Sequence, residues 1–518
     1  VSNTSSKNSL KANNFLRIAT RYLIAFLLIS ALLPTNSFAR KRKIKIKNTD
    51  SLVFSEKDGR NIRKLYGHVQ FEHDGGQMFC DSAYFYVQDN NFDAFNNVHI
   101  RQNDSVNLYG DKLYFDGNTQ LAKIRGNVKL IDGATTLTTR FLDYDMKESI
   151  AYYFDKGHII SNENTLDSRI GKYFETSNEF FFKDDVVLVN PDYVITSDTL
   201  KYNTVSEIAY FFGPTEIKNE ENYIYCENGW YDTKKNISQF QKNSYLNNGP
   251  KFLYGDSIFY NRNLSYGEAF ENVKIIDTAQ KSIAYGHYAY YKEKPEYITV
   301  TDSIMLVQVM QGDSLFMHGD SLIAHFDSTE SFRLAKVYNH VRFFKTDLQG
   351  KCDSLVFTFE DTTLEMHTDP IIWSDNYQVT GNQIDVHLKD ENVDKMYVFG
   401  NAFLVSQDNE TQFNQVKGNN MTGYVQDKEL YRIDVNRNGE TIYFLRDETE
   451  LLGVNKAECT DITVYLKDSQ VNEIVFKKKP IGTMYPPQYL MEDELFLDDF
   501  QWRIEIRPQS KEDIFIWK

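Results

Sequence analysis

Beyond about residue 60 the chain alternates apolar and polar positions in short runs that return on a fixed period. In "RGNVKL" (125–130), Val128 and Leu130 alternate with Asn127 and Lys129, the two-residue period of a half-buried strand. The runs "YGHVQF" (66–71), "FNNVHI" (95–100), "FENVKI" (270–275) and "YNHVRF" (338–343) repeat it. Between them recurs a second element: a small residue, usually a polar pair, an apolar or glycine position, then an aromatic. Examples are "YGDKLYFD" (109–116), "TSDTLKYN" (196–203) and "YGDSIFYN" (254–261). Its small residue falls at Gly110, Thr139, Ser168, Ser197, Cys226 and Gly255, an unbroken step of 29, and Cys80 lies 30 before the first.

Looser copies of this slot follow at Gly286, Gly319, Cys352, Gly381, Gly418 and Cys459, making thirteen units. Two residues before the slot stand Leu108, Leu137, Leu166, Ile195, Ile224 and Leu253; five after it stand Phe115, Tyr144, Tyr173, Tyr202, Tyr231 and Tyr260. No long segment after residue 40 keeps a helical period. The pattern predicts an all-β, repetitive solenoid in which each unit of about 29 residues holds two or three short strands, joined by turns rich in Asp, Asn and Gly.

Composition agrees. Of 518 residues 14% are aromatic, with 34 Tyr and 37 Phe, and only 10 Pro interrupt. A formal net charge of -16 argues against nucleic acid, whose phosphates such a surface would repel. The four cysteines all occupy the slot, at least three units apart. If each unit adds at least one rung of about 4.8 Å, the nearest pair stands roughly 14 Å apart, so free thiols are expected. There is no Cys-x-x-Cys, and the ten histidines show no metal-ligand spacing. They read as scattered surface residues, and neither a metal nor a cofactor is expected.

One stretch points elsewhere. "QGDSLFMHGDSLIAHFD" (311–327) holds Gly-Asp-Ser-Leu twice, with Ser314 and Ser321 where the GDSL esterases and lipases place their nucleophile. That chemistry needs a histidine base oriented by an acid, which the family supplies in a downstream Asp-x-x-His. Here the sole such motif, Asp155 to His158, lies upstream, and no histidine follows His387. Gly319-Asp320-Ser321-Leu322 instead occupies the slot of Gly110-Asp111-Lys112-Leu113. The glycine and aspartate are expected to serve a turn and the start of a strand, the serine to be a strand residue, and the chain not to be an enzyme.

At the N-terminus, Lys7, Lys11, Arg17 and Arg21 precede the apolar run Tyr22 to Leu33, and Ser37-Phe38-Ala39 offers a signal-peptidase site. Twelve apolar residues span about 18 Å as a helix, short of the roughly 30 Å hydrocarbon core. Export with cleavage after Ala39 is expected. The basic run "RKRKIKIK" (40–47) keeps an uncleaved anchor, in the inner or outer membrane, as the alternative.

The stretch "LYGDKLYFDGNTQLAKIRGNVKLID" (108–132), with weaker copies over most of 63–475, resembles the OstA-like family, relatives of LptA and of the periplasmic domain of LptD. The C-terminal 480–510 resembles the end segment of long Bacteroidota members of that family. The resemblance implies a twisted β-jellyroll, open along one side, that holds lipopolysaccharide acyl chains between two sheets. It implies as partners lipopolysaccharide itself, through lipid A, and other transport proteins or further copies of the chain, joined by edge-strand addition. The location implied is the periplasm.

The expected organisation is a signal peptide over 1–39, a basic linker over 40–62, repeat regions over 63–280 and 281–475, and a capping segment over 476–518. Within it, Pro486 and Pro487 stop the ladder and "FQWRIEIRP" (500–508) folds over the last rung. The N-terminal edge, near 63–73, is expected to be open for docking. Candidate groove-lining residues are Leu108, Leu113, Phe115, Val128, Leu130, Tyr144, Leu200, Tyr202, Ile258, Tyr260, Val273 and Ile275. If the two sheets splay, these meet lipid; if they close, they are core. The competing reading is a secreted structural or glycan-binding solenoid with no role in lipid transport.

Overall fold

The computed structural model describes residues 43–517 apart from 58–59, 74, 103–105, 221, 311, 328–331, 390–391, 428, 448–449, 468–469 and 490–494. The expected signal peptide, its cleavage site and the first residues of the basic run lie outside the described residues. Among those described, thirty-four strands, β1 to β34 in chain order, pair antiparallel throughout, and the remaining regular structure is short 3₁₀ turns. No described helix is long and apolar enough to cross a membrane.

Most repeats are built of two long strands, not two or three short ones, although over 150–174 and 363–389 the arms are separate strands of four to seven residues. The long strands run as β14 (Tyr193–Asn203), β15 (Ile208–Lys218), β16 (Asn222–Asp232), β17 (Ile237–Asn248), β18 (Lys251–Asn261) and β19 (Tyr266–Asp277), each about eleven residues, joined as a meander. What looked like strand breaks are corners within strands. In β18–β19 the pairing runs through Tyr254↔Lys274 and resumes at Ser257↔Phe270. Opposite the slot, Glu271 and Asn272 both take a left-handed backbone. The Gly-Asn, Asn-Asn, Asn-His and Glu-Asn dipeptides of the "GNV" element are these residues, as at Gly126/Asn127, Asn96/Asn97 and Asn339/His340. Such pairs bend a strand sharply, and Gly and Asn reach this conformation at least cost.

The corner also changes parity. Inward residues of β18 are Leu253 and Gly255 before it and Ile258 and Tyr260 after it, a step of three where a straight strand allows two. Both arms therefore turn their apolar side to one interior. For Gly319-Asp320, the structure corrects the expected turn and strand start: both lie inside β22 (Ser314–Phe326), at its corner. At the far ends of the arms, the Asp or Asn after each aromatic closes the loop. The Asn203 side-chain oxygen accepts from the Val205 and Ser206 amides at 3.0 and 2.9 Å, and Asn261 accepts from Leu264 at 3.0 Å.

The chain divides into two compact units, Val1–Ile124 and Arg125–Lys518. The boundary expected at 280/281 falls inside the second, in the turn between β19 and β20 (Ser282–Lys292). In the first unit, part of the expected linker is sheet: β1 (Lys45–Asn48) and β2 (Ser51–Lys57) both pair with β3 (Arg60–His73). The edge is thus formed by β1 and β2 end to end, with Leu52, Val53 and Phe54 of β2 exposed, and Leu65 on β3 is fully buried. The repeat pattern does not extend into 45–57, which is why the extra strands escaped notice.

In the second unit the buried apolar residues of the repeats run from Val128 to Leu466. Its last strands are β32 (Glu450–Lys467), β33 (Gln470–Lys477) and β34 (Ile481–Tyr485), the latter two both paired with β32. The tail 495–517 does not fold over this end. It runs back across the outer face of one arm, from β32 past β30 (Phe413–Gln426), β29 (Asn392–Gln407) and β27 (Tyr377–Thr380) to β22.

All four cysteines are free thiols; Cys80, Cys226 and Cys352 are buried and Cys459 half-buried. The surface reading of the histidines fails twice. His73 packs edge-on against Phe115 at 5.2 Å, and buried His318 donates from Nδ1 to the Ile304 carbonyl at 2.8 Å.

Candidate apolar crevice between the arms

The interior of the second unit is formed by both arms of each bent strand. Beside the corner they meet in a dry cluster of Leu166, Phe182, Ile195, Leu200, Phe211 and Cys226, among others. Polar atoms at the corner are satisfied locally: Ser197 donates to the Thr199 carbonyl at 3.0 Å and shares a 2.8 Å bond with Thr215, and Ser244 donates to Gly255 at 2.7 Å. Toward the arm tips the same inner faces carry Leu188, Tyr193, Tyr202, Ile217, Ile224 and Tyr231, which pack on the cluster yet keep part of their surface accessible. Burial, more than any neighbouring charge, pushes the Tyr193, Tyr202 and Tyr260 phenols up, so the lining stays uncharged at neutral pH.

The sequence-predicted lining divides along this gradient. In the second unit Val128, Leu200, Ile258 and Val273 stand beside corners and are buried, whereas Leu130, Tyr144, Tyr202, Tyr260 and Ile275 stand toward the tips and are half-exposed. The arms are closed at the spine and accessible at the mouth. In the last repeats there is a cavity of about 20 Å³ lined by Tyr377, Leu404, Val416, Ile433, Val464 and Ile474, among others.

The first unit is different. Leu108, Leu113 and Phe115 are all buried, Phe115 at 0% exposure although it lies toward a tip. Phe71 stacks on Phe92 at 4.2 Å and Phe92 meets Phe115 at 5.5 Å, joining the arms through rings. Ile44, also buried, lies against Gly117 at the tip, and its amide donates to Asn90 at 3.3 Å. Here the same repeat positions form a closed core.

Sequence reasoning missed Tyr193 and Leu188. Tyr193 stands four before its slot, where other units read Thr135, Asn164, Asn222 and Lys251, so no repeat signal marks it, whereas Leu188 stands nine before its slot, as Leu130 does, and was legible from the repeat. Among the described residues, no cluster of His, Cys, Asp or Glu could hold a metal ion.

Two-strand repeats bent at left-handed corners, with an apolar crevice between the arms, define a repetitive antiparallel β-protein. The family model described as OstA-like protein matches residues 41–198 and 194–253, the first part of the repeat array. The same corners continue beyond the match, at Glu271/Asn272, Asn339/His340 and Arg437/Asn438. Among solved structures, LptH of Pseudomonas aeruginosa, an LptA-homologous periplasmic component of its lipopolysaccharide transport device, matches at 16% identity. The match covers 21% of this chain and 81% of that one, with a TM-score of 0.20, too slight a likeness to carry further. No curated protein matches the chain.

Proposed function

We propose that the chain is a periplasmic lipopolysaccharide-binding protein of outer-membrane biogenesis that carries or bridges its ligand by covering lipid A acyl chains between the arms of the second unit. The match of residues 41–253 to the OstA-like family model supports this reading. The observation that carries it is the exposure gradient of the inner faces, sealed at Leu200, Ile258 and Val273 and half-open at Tyr202, Tyr260 and Ile275. A fully closed interior would have no room for a guest, and a polar one no affinity. Each acyl CH₂ covered contributes about 0.8 kcal/mol, so transfer along the crevice needs no chemical step within this chain.

Its partners are other transport proteins or further copies, added as strands at the edges. β2 carries Phe54 at 73% exposure, and β34 carries Ile481 at 73%. Native mass spectrometry of the chain purified from a lipopolysaccharide-producing cell tests the reading. Lipid A is expected in the wild-type protein and at least tenfold depleted in a Tyr202→Lys, Tyr260→Lys, Ile275→Lys variant of unchanged melting temperature. Bound glycan without lipid, or equal lipid in both proteins, rejects it. Photo-crosslinkers at Phe54 and Ile481 test the edges.

A further inference from the structure

The tail 495–517 is held in a manner unlike the rest of the fold. It adds no strand to the sheet: beneath it β30 pairs with β29 along its length and with β31 (Glu429–Asp447) as far as Gln415↔Ile442. Its main chain is read by side chains instead. Gln415 accepts from the Leu497 amide at 2.9 Å and donates to the Leu495 carbonyl at 2.8 Å. Gln378 does the same six residues on, accepting from the Arg503 amide at 2.8 Å and donating to the Gln501 carbonyl at 2.7 Å. Each glutamine amide thus bridges an N–H and a C=O two residues apart, as a neighbouring strand would.

Both glutamines stand three residues before a slot, Gly418 and Gly381, and Gln349 stands three before Cys352. Gln349 accepts from Arg507 Nε at 2.7 Å. The same repeat position therefore meets the tail in three consecutive units, and two of the three read its backbone.

Between the glutamines lie apolar sites. Leu497 is buried with Phe403, Val405, Phe444 and Val454, and Phe500 and Trp502 each lie 5.4 Å from Phe413. These sheet residues are on the outer face, since Ala402, Leu404 and Val416 on the same strands belong to the inner core. The strands are apolar on both faces, which an arm bordering water would not require. At the far end Arg503 forms a two-pronged ion pair with Asp369 at 2.8 and 2.9 Å, and Arg342 donates to the Ile506 and Ile516 carbonyls.

We propose that the outer face of this arm is a peptide-docking groove, with 495–517 as its bound ligand in cis, and that it takes the same segment of a second copy when its own is withdrawn. Gln378 and Gln415 read the backbone, Phe403 and Phe413 receive the apolar side chains, and Asp369 fixes the register through Arg503. The segment is a ligand because it contributes no strand pairing to the sheet it covers and is held by side chains alone, and the second copy is its replacement because that copy's segment carries the same spacing.

The test uses the full chain with a protease site inserted between Tyr489 and Leu495. After cleavage, a fluorescent peptide of sequence 495–517 is expected to exchange into the groove while the far-ultraviolet sheet signal is unchanged. The same peptide N-methylated at Leu497 and Arg503 loses the two donated bonds and is expected to bind at least tenfold more weakly, with no change made to the protein. Failure to exchange, loss of the sheet signal on release, or equal binding of the methylated peptide each overturns the groove. For the second copy, the uncut chain is expected to form a concentration-dependent dimer that excess peptide dissolves. A dimer indifferent to peptide, or a strict monomer, overturns that part.

Discussion

The side-chain amide of Asn272 donates to the carboxylate of Asp256 at 2.8 Å across the corner of β18 and β19, sixteen residues away in sequence. Asn97 with Asp81 and Asn243 with Glu227 make the same bond at the same distance and separation. His340 meets Asp320 at 3.0 Å in the equivalent place. The acid is the residue after the slot, and its partner is the second left-handed residue of the corner pair. The Gly-Asp of the esterase-like string is therefore one half of a corner clasp.

Replacing Asn272 separates the clasp's two contributions. Asn272→Ala loses the hydrogen bond and puts a Cβ residue without a local partner into a left-handed backbone, for a cost of about 1–2 kcal/mol. Asn272→Gly loses the bond but relieves the backbone, and is expected to cost less than about 1 kcal/mol. Urea melts of the two variants check the order; an equal cost would remove the conformational part.

Whether a slot tolerates a side chain depends on what faces it. A Cβ at Gly319 would lie 2.4 Å from the Val337 methyl, and Gly286, Gly381 and Gly418 likewise face Val300, Val398 and Val435 at 2.5, 2.5 and 2.2 Å. At Gly255 the nearest atoms, on Ser257 and Ala269, stand at 3.4 and 3.5 Å. Gly319→Ala is expected to destabilise by about 1–3 kcal/mol and Gly255→Ala to stay within about 0.5 kcal/mol of wild type, as read from denaturant midpoints.

Thiol labelling should be ordered. Burial pushes the Cys80, Cys226 and Cys352 thiols up to about 12, leaving roughly one in ten thousand as thiolate at pH 8. Cys459 is half-buried and donates to the Asp461 carbonyl at 3.1 Å. Peptide mapping after iodoacetamide treatment at pH 8 is expected to find Cys459 modified first, and the other three at the rate of global unfolding.

Acid should loosen the tail in two stages. His318, beneath Phe515 at 4.8 Å, has its pKa lowered by burial, so the unfolded chain binds its proton more readily. Stability from the neutral ring is complete above the ordinary 6.5 and declines as pH falls below it. The carboxyl of Asp369 is lowered by its hydrogen bonds and charge pairing with Arg503, aided by Lys351. Its contribution is complete above the ordinary 3.8 and is lost as pH falls further. Hydrogen exchange at the Leu497 and Arg503 amides is expected to accelerate relative to core strands, first below pH 6.5 and again below pH 4. A constant ratio down to pH 3 would mean the tail opens only with the whole unit.

The sequence alone determined the all-β class, the 29-residue unit and the inward identity of Leu113, Leu200, Ile258 and Tyr202, because strand alternation and a repeated small residue are local properties that repetition amplifies. It could not reveal the corner. Two consecutive left-handed residues in the middle of a strand read as a turn, and only pairing on both sides, as at Tyr254↔Lys274 and Ser257↔Phe270, makes them a bend. Nor could it separate crevice from core. Phe115 and Tyr260 hold the same repeat position, yet Phe115 is sealed by Phe92 and His73 while Tyr260 keeps accessible surface. That difference is made by side chains distant in sequence, as is the burial of Phe403 and Phe413 beneath a tail some ninety residues downstream. Periodicity reports which way a side chain points; what meets it there is settled by packing in three dimensions.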